Sequence, residues 1–150
     1  MTCPALRPAR PADLDAALGL LAEAGLPTGG VREAFSEFIV AEVEGSLAGV
    51  AGVERYGDAA LLRSVAVAPT WRGTGIGRAL IDDVLGRVAA SGVKDVYLLT
   101  TSAEHYFPRH GFRCIRRDEV PAAVQASGEF TSACPASATV MHRALDGAAG

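Results

Sequence analysis

Arg72-Gly73-Thr74-Gly75-Ile76-Gly77 is the stretch on which the reading of this chain turns. Three glycines in five residues lie between a strand-like run ending at Val67 and a helical pattern starting near Gly75, so several backbone N–H groups aim at one place. A helix start leaves its first N–H groups unpaired and carries partial positive charge, and glycine lets the backbone approach a bulky anion closely. Arg72 adds a full charge, and the pattern suits phosphate. The alternative is a glycine-rich turn that binds nothing. A dinucleotide fingerprint needs a third glycine where Arg78 stands, and a nucleotide-triphosphate loop needs Gly-Lys followed by Ser or Thr, so both are disfavoured.

Downstream of this loop, Ile76, Leu80, Val84 and Val88 fall at i+4 steps with Ile81 and Leu85 widening the stripe, which predicts a helix from Gly75 to Ser91 packed on a sheet. Gly92 ends it. Val96 to Thr101 is a nearly all-apolar run of the kind found in a central strand buried on both faces. Upstream, Phe38 to Val43, Leu47 to Tyr56 and Ala59 to Val67, separated by Glu44-Gly45 and Gly57-Asp58, read as a three-strand meander. The strands Ala59–Val67 and Val96–Thr101 flank the helix and are expected to be parallel.

Before the meander come an extended start at Leu6-Arg7-Pro8, a helix opened by Pro11 and running to about Ala24, a Gly25 cap, and a short helix over Val31 to Phe35. After the central strand come a short helix over Ala103 to His110, a strand over Phe112 to Arg117, a short helix over Pro121 to Gln125, and a final strand over Ala138 to Leu145. The fold class is therefore α/β, with a mixed sheet. Residues 1–146 read as one domain, with a fraying tail over 147–150.

A chain of 150 residues can bury a substantial core without disulfides. Its net charge of −3 gives no case for nucleic acid or an anionic membrane surface, and neither an 18-residue apolar run nor a signal-peptide pattern is present. The chain is read as soluble and cytoplasmic. Cys3, Cys114 and Cys134 are widely spaced with no His at zinc-like spacing, so no metal is expected; each reads as a small, partly buried free thiol. A trio of thiols folded together would bind a thiophilic metalloid.

The order of elements resembles the GNAT superfamily of acyl-CoA-dependent N-acetyltransferases. Arg72-x-x-Gly75-x-Gly77 is similar to that family's pyrophosphate motif, Val65-Ala66-Val67-Ala68-Pro69 to its pantetheine-binding strand, and Gly111-Phe112 to the end of its penultimate helix. The resemblance implies a mostly antiparallel sheet with one parallel, splayed pair of strands and helices on both faces. It implies acetyl-CoA as co-substrate in the gap, held by Val65, Ala66, Val67 and the loop Arg72, Gly73, Thr74, Gly75, Ile76 and Gly77, and a small-molecule amine as acceptor. Leu62-Arg63-Ser64, Leu98-Leu99-Thr100-Thr101, His105 to Phe112 and Pro135-x-Ser137 look like two amino-acid-acetylating branches. One is the acetyltransferase domain of N-acetylglutamate synthases; the other is the small acetyltransferases linked to arsenic-resistance operons, to which Phe35 through Gly52 look closer.

Acyl transfer to an amine needs positioning and a base. Strand parity puts Arg63 on the same face as Val65 and Val67, where a guanidinium would grip an acceptor carboxylate in a fork; the alternative is an Arg paired with a sheet carboxylate. Glu54 and Glu42 lie on the neighbouring strands in apolar surroundings that suit a general base; the alternative is a solvated or salt-bridged carboxylate. Glu54 is the nearer, and Glu42 is placed with the acceptor. Many GNAT enzymes carry a tyrosine as acid where this chain has Phe107, and Tyr106, one residue early, is the candidate in its stead; the alternatives are a packing aromatic at 106 and a thiolate that leaves unprotonated or by way of water. Thr100, Thr101 and Ser137 complete the expected acceptor side. The reaction expected is acetylation of a carboxylate-bearing amine, an amino acid or amino-acid-like toxin in arsenic resistance. Alternatives are glutamate acetylation in arginine synthesis and a non-catalytic acyl-CoA-binding or metalloid-sensing module. The sequence leaves monomer and homodimer both open.

Overall fold

The computed structural model describes residues 4–26, 28–100, 106–127 and 138–145. Seven strands form one sheet: β1 (Ala5–Pro8), β2 (Ile39–Val43), β3 (Ser46–Tyr56), β4 (Ala59–Val67), β5 (Asp95–Thr100), β6 (Arg113–Ile115) and β7 (Thr139–Ala144). Their spatial order is β1-β2-β3-β4-β5-β7-β6. Every neighbouring pair is antiparallel except β4 and β5, as the helical crossover between them requires. The helices are α1 (Leu14–Glu23), α2 (Val31–Ala34), α3 (Ile76–Ala90) and α4 (Ala122–Gln125).

The helical stripe of α3 is buried as its periodicity predicts. Ile76, Leu80, Ile81, Val84, Leu85 and Val88 pack on Ile39, Ala41, Val53, Leu62 and Leu98 of the sheet. Phe107 and Phe112 close the same face, their rings meeting edge-on with centroids 5.8 Å apart. On the opposite face Leu14, Ala17 and Leu21 of α1, with Val31, Phe35 and Phe38, cover Val40, Val50 and Ala66. Further along that face Val124 of α4 joins Val120 over Ala59, Leu61 and Tyr97. Glycine ends two of the helices by the same device: Gly25 (φ 72°) and Gly92 (φ 100°) turn left-handed, and the following amides, Leu26 and Val93, bond back to Leu21 O and Val88 O.

Three expectations are corrected. The strand foreseen over Phe112 to Arg117 ends at Ile115 because the chain tightens into a 3-10 turn at Arg117–Glu119, where the Glu119 carboxylate accepts the Arg116 N–H at 2.7 Å. Cys114 is an exposed free thiol rather than a partly buried one, since it sits on the three-residue edge strand β6. The parity reading of Arg63 also fails. Val50 pairs with Ala66 and Gly52 with Arg63, so β4 carries one residue more than β3 across that interval. The extra residue is absorbed as a β-bulge at Ser64, whose φ is 60°. A bulge reverses side-chain alternation, so Val65 and Val67 pack on the α3 face while Arg63 points to the α1 and α2 face.

Thr101, His105, Ser137, Cys3, Cys134 and the tail 147–150 lie outside the described residues, as does the start of the helix expected over Ala103 to His110. Its described part is a 3-10 turn, Phe107–His110. Among the described residues no helix is long and apolar enough to cross a membrane, and no group of three or more His, Cys, Asp or Glu side chains converges.

Candidate functional site

The gap between β4 and β5 is a consequence of register. The two strands pair at Ala59↔Asp95, Ala60↔Val96 and Leu61↔Tyr97 only, so from Leu62 onward β4 has lost its β5 partner. The backbone of that unpaired stretch is directed by its other edge. Ala68 N–H donates to Ala48 O across the sheet at 2.7 Å, and in a trans peptide this turns the Val67 carbonyl the opposite way, into the gap. There it accepts the Arg72 Nε–H at 3.1 Å. By the period of two, Val65 presents its backbone groups to the same side, while Ala66 is committed to β3.

At the head of the gap the loop from Arg72 to Gly77 takes the form its glycines predict. Gly73 and Gly75 have φ of 80° and 91°, and the first helical bond runs from Ala79 N to Gly75 O at 3.0 Å, which leaves the amides of Ile76, Gly77 and Arg78 facing out of the helix end. The Thr74 hydroxyl donates to Trp71 O and ties the loop. These outward amides, the nearby Arg72 guanidinium and the partial charge of a 15-residue helix fit a pyrophosphate. Gly77 is also a close-approach position: a Cβ there would lie 3.3 Å from the Tyr106 hydroxyl and 3.5 Å from Val67 Cγ2.

That contact locates Tyr106. Phe107 is buried in the core, and the one-residue step turns Tyr106 instead toward the N-terminus of α3, half-buried. Its ring meets those of Phe107 (5.3 Å) and His110 (4.9 Å). Burial raises the Tyr106 phenol above its ordinary pKa of 10.0, with Asp82 adding to the shift. Burial likewise lowers His110 below 6.5, outweighing the Asp82 carboxylate 3.9 Å from its Nδ1.

Around Arg63 a second group of residues converges. Its guanidinium donates to the Ser64 hydroxyl (Nε, 3.0 Å), Glu54 Oε2 (Nη1, 2.6 Å) and Gly29 O (Nη2, 2.7 Å), and its side chain is 1% exposed. Glu54 accepts a further hydrogen bond on Oε1 from the Tyr56 hydroxyl. Tyr56 is pushed up to about 12, first by burial and then by that carboxylate, so its proton is held through the physiological range. Glu54, Tyr56 and Arg63, with Gly29 and Gly30 of the loop between α1 and α2 and Glu33 of α2, line an open cleft of about 630 Å³. Arg55 and Glu37, paired at 3.1 Å, line it as well.

Arg63 and Glu54 are thus brought together, and Tyr56 joins them unforeseen. Its only signal in the sequence was the i+2 spacing from Glu54, which places both on one face of β3. Glu42 is not brought to this group. It accepts Arg7 Nε–H at 2.8 Å, while the other nitrogens of Arg7 fork onto Asp13 at 2.7 and 3.0 Å. Thr100 ends β5 opposite Thr139, buried.

The family profile described as acetyltransferase (GNAT) domain matches residues 34–114. The amino-acid acetyltransferase of Mycobacterium tuberculosis is 35% identical over 133 residues, 81% of this chain and 75% of that protein. The amino-acid acetyltransferase of Ralstonia nicotianae is 34% identical over 88 residues, 57% of this chain. The chain spans about 20% of the length of that relative, whose own sequence extends far beyond the shared region. Among solved structures, N-acetylglutamate synthase from Neisseria gonorrhoeae, complexed with coenzyme A and N-acetyl-glutamate, superposes with a TM-score of 0.83 at 21% identity, covering 97% of this chain and 36% of that one. The Mycobacterium tuberculosis protein Rv2747, solved in complex with CoA, does so at 0.81 and 26% identity, covering 95% and 99%.

Proposed function

Because the chain belongs to the GNAT acetyltransferase family, we propose that it transfers the acetyl group of acetyl-CoA to the amine of a small, carboxylate-bearing acceptor such as an amino acid. The observation that carries this is the splay of β4 from β5 beyond Leu61, with Val67 facing the gap and the outward amides of Ile76 to Arg78 at its head. Acetyl-CoA supplies the activated acyl thioester. Ile76, Gly77 and Arg78 N–H, with Arg72, hold the pyrophosphate; Thr74 and Gly73 shape the loop. Val65 and Val67 bond the pantetheine arm, and an N–H of this stretch stabilises charge growing on the acyl oxygen.

The acceptor sits in the cleft of Glu54 and Arg63. An incoming carboxylate replaces the neutral Gly29 carbonyl on Arg63 Nη2, a stronger partner for the guanidinium. Glu54, directly or through a water, takes a proton from the acceptor's ammonium, which frees the lone pair for attack on the acyl carbon. Tyr106, held protonated beside Gly77 and Val67, gives its hydroxyl proton to the departing sulfur, and the second proton that the acylated nitrogen sheds returns through solvent to restore the phenol.

Two acceptor assignments follow from different observations. The segments around Phe35 through Gly52 resemble the arsenic-operon branch, which favours an amino-acid-like toxin bearing a phosphinic or arsinic group. The relatives named amino-acid acetyltransferase favour an ordinary amino acid, and the resemblance to the N-acetylglutamate synthase branch makes glutamate the first to test. A free-coenzyme-A release assay across the amino acids and their phosphinic and arsinic analogues separates them. Release with none of the panel, alongside acetyl-CoA binding, overturns catalysis in favour of a binding module.

A further inference from the structure

The hydrogen bonds on Glu54 come from two different strands and have different consequences. Arg63, on β4, neutralises the carboxylate and fixes the edge of Oε2. Tyr56, two residues along β3, lies on the same face of its strand as Glu54 and donates to Oε1. The Tyr56 ring is half-buried, resting on the cluster of Ala59, Leu61, Tyr97 and Val124, so the phenol is delivered from a packed platform rather than from solvent.

We propose that Tyr56 is a positioning residue for the acetyl-transfer reaction: its hydroxyl holds Oε1 of Glu54 and so fixes the orientation in which that carboxylate takes up the acceptor's proton. The proposal rests on the reading of Glu54 as base. A hydrogen bond to a carboxylate is stronger than one to a neutral carboxyl, and the donor must keep its own proton to make it. Tyr56 keeps it, because burial and the adjacent carboxylate both oppose its ionisation. The other charged groups facing the cleft are Arg63 from β4, Arg55 from β3, Glu33 from α2 and Glu37 from the turn after it. Arg55 and Glu37 cancel one another at 3.1 Å, and among the described residues Tyr56 and Arg63 are the donors that act on Glu54 directly.

The test is the pH dependence of kcat/KM for the acceptor in Tyr56→Phe, Glu54→Gln and the double variant, with folding checked by circular dichroism. Tyr56→Phe keeps the ring and removes the donor. Loss of one hydrogen bond to the ionised form is expected to move the acidic limb upward by about one pH unit, roughly tenfold in rate on the limb, while the KM for acetyl-CoA stays within about twofold. Installing 3-fluorotyrosine at position 56, a stronger donor with the same packing, is expected to move the limb downward. In the Glu54→Gln background Tyr56→Phe is expected to have no further effect. A Tyr56→Phe profile that overlays the parent, or an equal loss in both backgrounds, overturns the positioning role. If Glu54→Gln itself retains the acidic limb, the base assignment fails first and the role of Tyr56 with it, and the two failures are told apart by that one variant.

Discussion

Replacing Arg63 by methionine is the perturbation on which the architecture of this site makes its firmest statement. Methionine fills most of the volume of the arginine stem and keeps its apolar contacts, so the change isolates the guanidinium. With the guanidinium gone, Glu54 loses its 2.6 Å partner, Gly29 O loses a 2.7 Å donor, and the Ser64 hydroxyl loses the contact that steadies it in a left-handed backbone. Removing one member of a buried pair costs roughly 3–5 kcal/mol. Glu54 is 15% exposed, opens on the cleft and keeps Tyr56, so water recovers part of the loss and the lower end, about 3 kcal/mol, applies here. For a chain of this length that corresponds to a fall in Tm of roughly 6–12 °C. The assay is urea unfolding at pH 7.5 of Arg63→Met, Glu54→Gln and the double variant. The double variant is expected to be more stable than the sum of the singles predicts by at least about 1 kcal/mol, since it leaves no lone charge behind. Additivity within about 0.5 kcal/mol, or a loss below about 1 kcal/mol for Arg63→Met alone, refutes the view that this ion pair clamps β3, β4 and the loop between α1 and α2.

Other outcomes follow from single contacts. Gly52→Ala places a Cβ 2.2 Å from Cε1 of the fully buried Phe38 ring, and is expected to cost about 1–3 kcal/mol of overpacking in a denaturant titration. Ser64→Val, which forces a β-branched residue into φ near 60°, is expected to destabilise by roughly 1–3 kcal/mol, whereas Ser64→Gly stays close to neutral because relief of strain offsets the lost hydroxyl. His110 is held below its ordinary pKa of 6.5, so between 6.5 and its folded value the unfolded chain binds a proton that the folded chain does not. Stability is therefore complete above 6.5 and declines as pH falls through that window. Thermal melts from pH 7.5 to 5.0 are expected to show a steeper fall for the parent than for His110→Gln, and equal slopes would remove His110 as the cause.

Much of this was legible in the residues. The i+4 stripe from Ile76 to Val88 and the caps Gly25 and Gly92 are local signals, in which the residues that decide the conformation are the ones that adopt it, and the structure follows them closely. The meander could be read because short glycine turns join strands that pair with their sequence neighbours. The glycine loop was legible for the same reason, since positive φ and close approach are properties that only glycine supplies cheaply.

The orientation of Arg63 could not be read in that way. Alternation along a strand holds only while the ladder is regular, and the extra residue of β4 exists because β3 and β4 must meet two registers, one at Gly52↔Arg63 and another at Val50↔Ala66. That mismatch is a property of two strands and of the helices α1 and α3 packed on either side of them, so nothing in Leu62-Arg63-Ser64-Val65 alone announces it. The same holds for the insertion of β7 between β5 and β6, which joins residues distant in sequence, and for the hydrogen-bonded chain from Tyr56 through Glu54 and Arg63 to the Gly29 carbonyl. By itself the sequence determined where most of the helices and strands would lie and that glycines would open the backbone at the head of α3. The tertiary structure decided which face Arg63 serves, because side-chain direction past a bulge is set by pairing between strands rather than by the order of residues within one.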